Sequence, residues 1–177
     1  MRVCPQWHRQ PVHVRRTSRF DAFEPLGGWR EVQVTDRRQR GDWARFVQGL
    51  VDGRYKDAEM VILIMDPAAN ASRFGELNIH SLTSLYEAFP PAEAKRIANK
   101  LEIHHTPKHG SWLNMAEIEC SALSRDLPDR VGDKAALKRH TAAWQRRRNA
   151  ATTRADWRFT TADARIKLRK LYPTMNN

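Results

Sequence analysis

Apolar and polar positions follow two different periods in the first third of the chain. Residues 19–36 contain two short apolar segments around a proline-glycine turn at 25–28, and the second segment alternates apolar with polar positions. This pattern predicts a β-hairpin. Residues 42–51 instead place apolar side chains at helical spacing, namely Trp43, Phe46, Val47 and Leu50. The spacing predicts an amphipathic helix with one face toward a core.

The middle of the chain predicts a strand, a helical region and a second strand. Residues 60–65 form a continuous apolar run that ends at Asp66, as is typical of a strand buried on both faces of a sheet. Residues 81–100 have a helical pattern interrupted by two consecutive prolines, and residues 101–106 are short enough for a strand. A helix between two strands indicates that the strands are parallel.

The last third of the chain predicts helices. Ser111 is placed to cap one helix, and further helices are expected over residues 133–149 and 161–171. No internal repeat or long linker divides the sequence. We therefore expect a single α/β domain over residues 19–177, preceded by an atypical segment at 1–18.

The composition indicates a soluble protein of the cytoplasm. Of the 177 residues, 41% are hydrophobic and 29% are charged, and no apolar run approaches the roughly 18 residues of a membrane helix. The first residues do not resemble a secretory signal. The two cysteines, Cys4 and Cys120, form no CxxC pair, which argues against both a disulfide framework and a structural zinc site.

An excess of positive charge indicates a polyanionic partner. The formal net charge is +11, and in residues 111–177 there are 14 Lys and Arg against 7 Asp and Glu. Cationic side chains gain affinity for nucleic acids by releasing counterions from phosphates. DNA or RNA is therefore favoured, with an arginine-rich surface that has no partner as the alternative.

Two carboxylates indicate chemistry at a strand end. Asp66 follows the apolar run, and α/β sheets generally bind ligands at the carboxyl ends of their strands. The alternative role for Asp66 is to begin a turn. Asn114 and Glu117 are three positions apart near the start of a predicted helix, so they share one face. We expect Glu117 to lean toward Asp66, where carboxylates can bind a divalent metal.

Residues 113–117, which read Leu-Asn-Met-Ala-Glu and follow Thr106-Pro107, resemble the sequence around the third acidic residue of mariner-related DDE transposases. The likeness is greatest to the bacterial insertion-sequence branch of that family. Together with further similar stretches, it spans about residues 19–173. Those stretches are residues 23–30, the strand that ends before Asp66, residues 84–89 and residues 157–165.

This resemblance implies an RNase H-like mixed sheet flanked by helices, in which three carboxylates hold two Mg²⁺ (or Mn²⁺) ions for phosphodiester cleavage and strand transfer. It implies that Asp66 is the second acidic residue and Glu117 the third, both catalytic and metal-binding. It also implies supporting roles for other residues. Asn114, Asn78 and His80 would be neighbours in the active site, and Lys108 and His109 would contact phosphates.

The chain departs from this family pattern in two places. The first acidic residue belongs on a central first strand, yet residues 1–18 contain no Asp or Glu. We therefore expect an N-terminally truncated domain that lacks this strand and the helix-turn-helix region, and that binds Mg²⁺ weakly unless Asp21 substitutes. Residues 67–76 are expected to be an insertion that displaces Asn78 and His80.

Two groups of cationic or metal-ligating residues have alternative interpretations. His104, His105 and His109 include a His-x3-His spacing, but a zinc site is disfavoured because no third ligand is nearby. The Arg146–Arg148 run either contacts DNA phosphates or is a solvated face.

Two functions of different classes follow from the sequence. The leading hypothesis is a transposase catalytic domain that acts on DNA, in a copy that is incomplete and has lost some or all of its activity. The alternative is a DNA-binding remnant without catalysis. DNA is the expected partner and the nucleoid the expected location, no membrane is involved, and a homodimer is left open.

Overall fold

The described part of the chain contains five strands and six helices. The computed structural model describes residues 2–4, 17–37, 39–65, 81–105, 115–128, 130–155 and 160–167, with the backbone alone for 2–4, 117, 161, 164 and 167. The strands are β1 (Arg2–Cys4), β2 (Ser18–Glu24), β3 (Trp29–Thr35), β4 (Val61–Met65) and β5 (Leu101–His105). The helices are α1 (Arg40–Asp52), α2 (Leu82–Ala88), α3 (Pro91–Asn99), α4 (Met115–Asp126), α5 (Lys134–Ala150) and α6 (Thr161–Lys167).

The strands form one mixed sheet in the order β3-β2-β1-β4-β5. β2 is antiparallel to both of its neighbours, whereas β4 is parallel to β1 and to β5. The prediction that the central first strand is missing is wrong, because β1 lies at the centre and pairs on both sides. A strand of three residues is too short for apolar and polar positions to alternate recognisably in the sequence. What defines β1 as a strand is its pairing with β2 and β4.

The predicted hairpin is confirmed as β2 and β3. Its turn requires glycine at position 28, where φ is +65°, a value that side chains with a Cβ rarely adopt. A Cβ at Gly28 would also lie 2.5 Å from the carbonyl oxygen of Thr152. This turn therefore brings the end of the hairpin against the chain that follows α5.

The main core lies between the sheet and the layer of α1, α2 and α3. Trp43 and Phe46 of the predicted helix α1 are buried, and the Phe46 ring stacks on Phe20 of β2 with 5.8 Å between centroids. Leu63 of β4 and Ile97 of α3 complete the cluster at 0% exposure. Each such side chain contributes roughly 1.5–3 kcal/mol through burial, so this layer carries most of the hydrophobic stabilisation.

The opposite face of the sheet is covered by α4 and α5. Successive residues of a strand point to opposite faces, so Asp21 and Phe23 of β2 face this side while Phe20 faces α1. α4 packs on β1 and β2, and α5 packs on β3. A small apolar cluster of Leu123, Leu127 and Trp144 joins the two helices.

The parallel pairing of β4 with β5 is confirmed, but the prediction that β4 is buried on both faces is wrong. Val61, Leu63 and Met65 are buried against the first helical layer, whereas Ile62 is 46% exposed. The reason is that α4 and α5 pack on the other half of the sheet.

The predicted break at the two prolines is confirmed, since α2 ends at Ala88 and α3 begins at Pro91. α5 follows Asp133, whose carboxylate accepts a hydrogen bond from the Ala136 N–H at 2.6 Å. The predicted cap at Ser111 and residues 168–171 lie outside the described residues. No helix in the described ranges is long and apolar enough to cross a membrane.

Candidate functional site

The candidate site lies at the edge of the sheet where β1, β4 and β5 end. These strands are parallel, so their carboxyl ends meet at one edge. β4 ends at Met65, directly before Asp66 in the sequence, and Glu117 is in the first turn of α4. Asp66 and the side chain of Glu117 are outside the described part of the structure. α4 packs on β1, and β1 pairs directly with β4, so the two chain segments belong to elements that lie on neighbouring strands of the sheet.

The other residues predicted for the site are also outside the described ranges. Asn114, Asn78 and His80 belong to this group, as do Lys108 and His109. The expected insertion at 67–76 lies there too. Their roles remain predictions.

Asp21 is the buried carboxylate nearest the end of β1. It pairs in register with Cys4, the last residue of that strand, and it is 6% exposed. Its Oδ2 accepts hydrogen bonds from the Arg19 Nε–H and from the thiol of Cys120, each at 3.1 Å. The carboxylate is thus on the side of α4, but a guanidinium and a thiol already bind it.

The pair of Arg19 and Asp21 keeps both charges inside the protein. Burial alone lowers the pKa of the Arg19 guanidinium, but the attraction of Asp21 and Cys120 outweighs this effect, so the pKa is raised above its ordinary value. Removing either charge would leave the other buried without compensation. Asp21 therefore acts in this structure as the counterion of Arg19.

A second buried charge cluster joins β3, α4 and α5. Arg30 is 1% exposed, and its Nε lies 3.2 Å from Oε2 of Glu119, whose Oε1 is 2.7 Å from Nη2 of Arg148. The Arg30 guanidinium also lies over the rings of Phe23 and Trp144, 5.0 and 5.9 Å from their centroids. Burial lowers the pKa of Arg30, against the opposing effect of Glu119. The cluster fixes α4 two residues beyond Glu117.

Sequence reasoning missed Arg30, although the sequence contains a signal for it. Alternate residues of β3 share one face of the sheet, and on one face these are Arg30, Val32 and Val34. The signal is therefore an arginine at a position where the alternation predicts an inward-facing apolar residue. Side chains of α5 also accept hydrogen bonds from backbone N–H groups of β3, which is an edge strand. Asn149 accepts from the Arg30 N–H at 2.9 Å, and Gln145 accepts from the Val32 N–H at 2.9 Å.

The structure separates the three arginines of the predicted phosphate-binding run. Arg148 points inward to Glu119, and Arg147 forms an ion pair with Asp126. Arg146 is exposed and, among the described residues, has no carboxylate within 4.0 Å. Of the histidines, His104 is exposed and its Nε2 lies 2.6 Å from Oε1 of Glu102, while His109 is outside the described ranges.

Residues 5–138 match the family model described as DDE superfamily endonuclease. The chain belongs to this family. The matched span includes β4, Asp66 and Glu117, and it ends within α5. No curated protein and no solved structure matches the chain.

DDE endonucleases generally use divalent metals. Within the described ranges, no three His, Cys, Asp or Glu side chains come together in a way that could hold a metal ion. Asp21 does not fit this role, because Arg19 neutralises it. A metal site in this family member would therefore need side chains beyond the described ones.

Proposed function

We propose that this DDE endonuclease is a transposase catalytic domain of the mariner-related, bacterial insertion-sequence branch. The observation that carries the proposal is the family match over a sheet whose β4 ends directly before Asp66. The expected substrate is DNA, and the reaction in intact relatives is phosphodiester cleavage followed by strand transfer.

The strand arrangement supports an RNase H-like fold. In the order β3-β2-β1-β4-β5, only β2 runs against the other strands. Helices cover both faces, and β1 and β4 lie side by side at the centre. This arrangement supports a catalytic edge at which the first acidic residue would be on β1 and the second would follow β4.

Asp66 and Glu117 are proposed as the catalytic, metal-binding carboxylates. Bound Mg²⁺ or Mn²⁺ would supply a metal-activated water and stabilise the leaving oxygen. Asn114 would orient this site with Asn78 and His80 nearby. Lys108 and His109 would hold phosphates of the DNA by their positive charge or hydrogen bonding.

We propose further that the carboxylate set is incomplete. β1 reads Arg2, Val3 and Cys4, so it offers no acidic residue at the centre of the sheet. Asp21 is engaged by Arg19 and Cys120. Two carboxylates bind Mg²⁺ weakly, since this ion relies on a few well-placed ligands and retains several waters. Weak cleavage is the expected consequence.

The second candidate function is DNA binding without cleavage. The engagement of Asp21 favours it, because this carboxylate, which is buried beside β1, is bound by Arg19 and is not free to bind a metal. The basic helix α5 also favours it, since this helix contains six Lys and Arg and no acidic residue. Phosphate binding by such a surface requires no metal.

Nicking of supercoiled plasmid DNA in Mg²⁺ or Mn²⁺ tests the catalytic proposal. We expect slow metal-dependent nicking that falls to background in Asp66→Asn and in Glu117→Gln. Glu59→Gln, an exposed position before β4, serves as the matched control and should leave nicking unchanged. Nicking that persists in both site variants contradicts the assignment of these carboxylates, and metal-independent DNA binding without any nicking favours the second function.

A further inference from the structure

The two faces of α5 have opposite character. Thr141 and Trp144 are buried on the inner face. The outer face, at helical spacing, is exposed and contains only alanines and basic residues. Its members are Ala135, Lys138, Arg139, Ala142, Ala143, Arg146 and Ala150. We refer to the three cations Lys138, Arg139 and Arg146 as the α5 strip.

The α5 strip forms no ion pair with the described residues. α5 contains no acidic residue, so no partner is available along the helix. Its other three cations pair with carboxylates elsewhere, Lys134 with Asp36, Arg147 with Asp126 and Arg148 with Glu119. Among the described residues, no carboxylate lies within 4.0 Å of any of the three strip cations. Hydrogen bonding by Lys134 lowers the pKa of the Asp36 carboxyl, and Lys138 lies close enough to help lower it. Asp36 is already paired with Lys134, however, so the strip keeps an excess of positive charge on an exposed face.

The spacing of the α5 strip suits a nucleic-acid backbone. Lys138 and Arg139 precede Arg146 by eight and seven residues, which is roughly 10–12 Å along a helix. Duplex DNA carries one phosphate charge for about every 1.7 Å of its axis, so several phosphates lie within this length. The alanines between the cations are short, and they allow a phosphate chain to approach the helix closely.

The support beneath the strip is rigid. Gln145 and Asn149 bind the backbone of β3, and Arg148 belongs to the buried cluster with Glu119 and Arg30. These contacts hold the inner face of α5 on the sheet. Little conformational freedom of the helix is lost when its outer face binds a ligand.

We propose that the α5 strip is a contact surface for the phosphate backbone of duplex DNA, separate from the carboxylate edge of the sheet. This inference rests on the proposed function in that DNA is taken as the substrate. The strip holds the DNA by charge and without reading its sequence, because phosphate contacts carry no sequence information. The strip binds DNA whether or not the carboxylate edge of the sheet cleaves it.

The test is the salt dependence of DNA binding by the full chain, measured by fluorescence anisotropy with a labelled duplex of arbitrary sequence. The variant is Lys138→Ala with Arg139→Ala and Arg146→Ala. The charge-matched control is Lys56→Ala with Lys95→Ala and Arg45→Ala, which removes three exposed cations from the α1–α3 side. Circular dichroism of both variants checks that the fold is retained.

A plot of log affinity against log salt has a negative slope, to which each phosphate contact contributes about 0.9 in magnitude. We expect the strip variant to make this slope shallower by about 2 to 3. The control should change the slope by less than about 1. Equal slopes in the two variants, or no DNA binding by the unaltered chain, overturn the inference. A further variant, Lys138→Arg with Arg139→Lys and Arg146→Lys, should restore the slope.

Failure of this inference is distinguishable from failure of the proposed function. Asp66→Asn should bind DNA with an unchanged salt slope while losing nicking. A strip variant with unchanged slope and intact nicking refutes the strip alone. A strip variant with reduced slope, in a chain that never nicks DNA, refutes the catalytic proposal and leaves the strip in place.

Discussion

The two helical layers use charge in different ways. In the layer of α1, α2 and α3, cations pair with carboxylates at the surface, as Arg96 does with Glu93 and Asp52, above a large apolar core. In the layer of α4 and α5, charges are buried between elements around Glu119, form surface pairs such as Arg147 with Asp126, or, in the α5 strip, have no carboxylate within 4.0 Å among the described residues. The first layer supplies most of the apolar core, and we propose that the outer face of the second binds the phosphate backbone of DNA.

The largest effect on stability is expected from Glu119→Gln, which removes the carboxylate at the centre of the buried cluster. The change leaves Arg30 and Arg148 without a counterion in the interior, and loss of one partner of a buried pair costs about 3 kcal/mol or more of the free energy of unfolding. Urea denaturation measures it. Glu87→Gln is the control from the first layer, where Glu87 is 46% exposed beside Arg40, and it should cost about 0–1 kcal/mol. Equal losses in the two variants would contradict the contrast between the layers.

A smaller effect is expected for Arg96→Ala at the surface of the first layer. Hydrogen bonding by Arg96 holds the pKa of Glu93 at about 2, against an ordinary value of 4.5. A lowered pKa means that this contact stabilises the fold above pH 4.5 and is lost as the pH falls toward 2. The variant should return the pKa of Glu93 close to 4.5, as followed by the carboxyl carbon shift in NMR. A Glu93 pKa near 4.5 in the unaltered chain would refute the contact.

The spacing of apolar residues predicts those strands and helices that are long enough for the spacing to repeat. The hairpin of β2 and β3, helix α1 and the parallel pairing of β4 with β5 follow from alternation, helical spacing and element order. β1 has three residues and no period, so its place depends on pairing with strands remote in sequence. The exposure of Ile62 likewise depends on where α4 and α5 pack, which no local pattern encodes.

The site was predicted from the sequence in outline only. Asp66 was identified because it follows a buried strand, and Glu117 because it begins a helix. Asp21 accepts a hydrogen bond from Cys120, which lies 99 positions later in the sequence. Arg19, the other partner of Asp21, also donates to the carbonyl of Cys120, 101 positions away. The buried contact of Arg30 with Glu119 is equally remote. Such contacts arise from tertiary packing, so single-sequence patterns do not reveal them.

We propose that the metal site of this DDE superfamily member depends on Asp66 and Glu117 and lacks a free first carboxylate. Titration of the full chain with Mg²⁺, followed by amide NMR, is the decisive measurement. We predict weak but saturable shifts confined to the end of β4 and the first turn of α4, and their loss in Asp66→Asn. The absence of any response to Mg²⁺, or shifts that persist unchanged in Asp66→Asn, would contradict the claim.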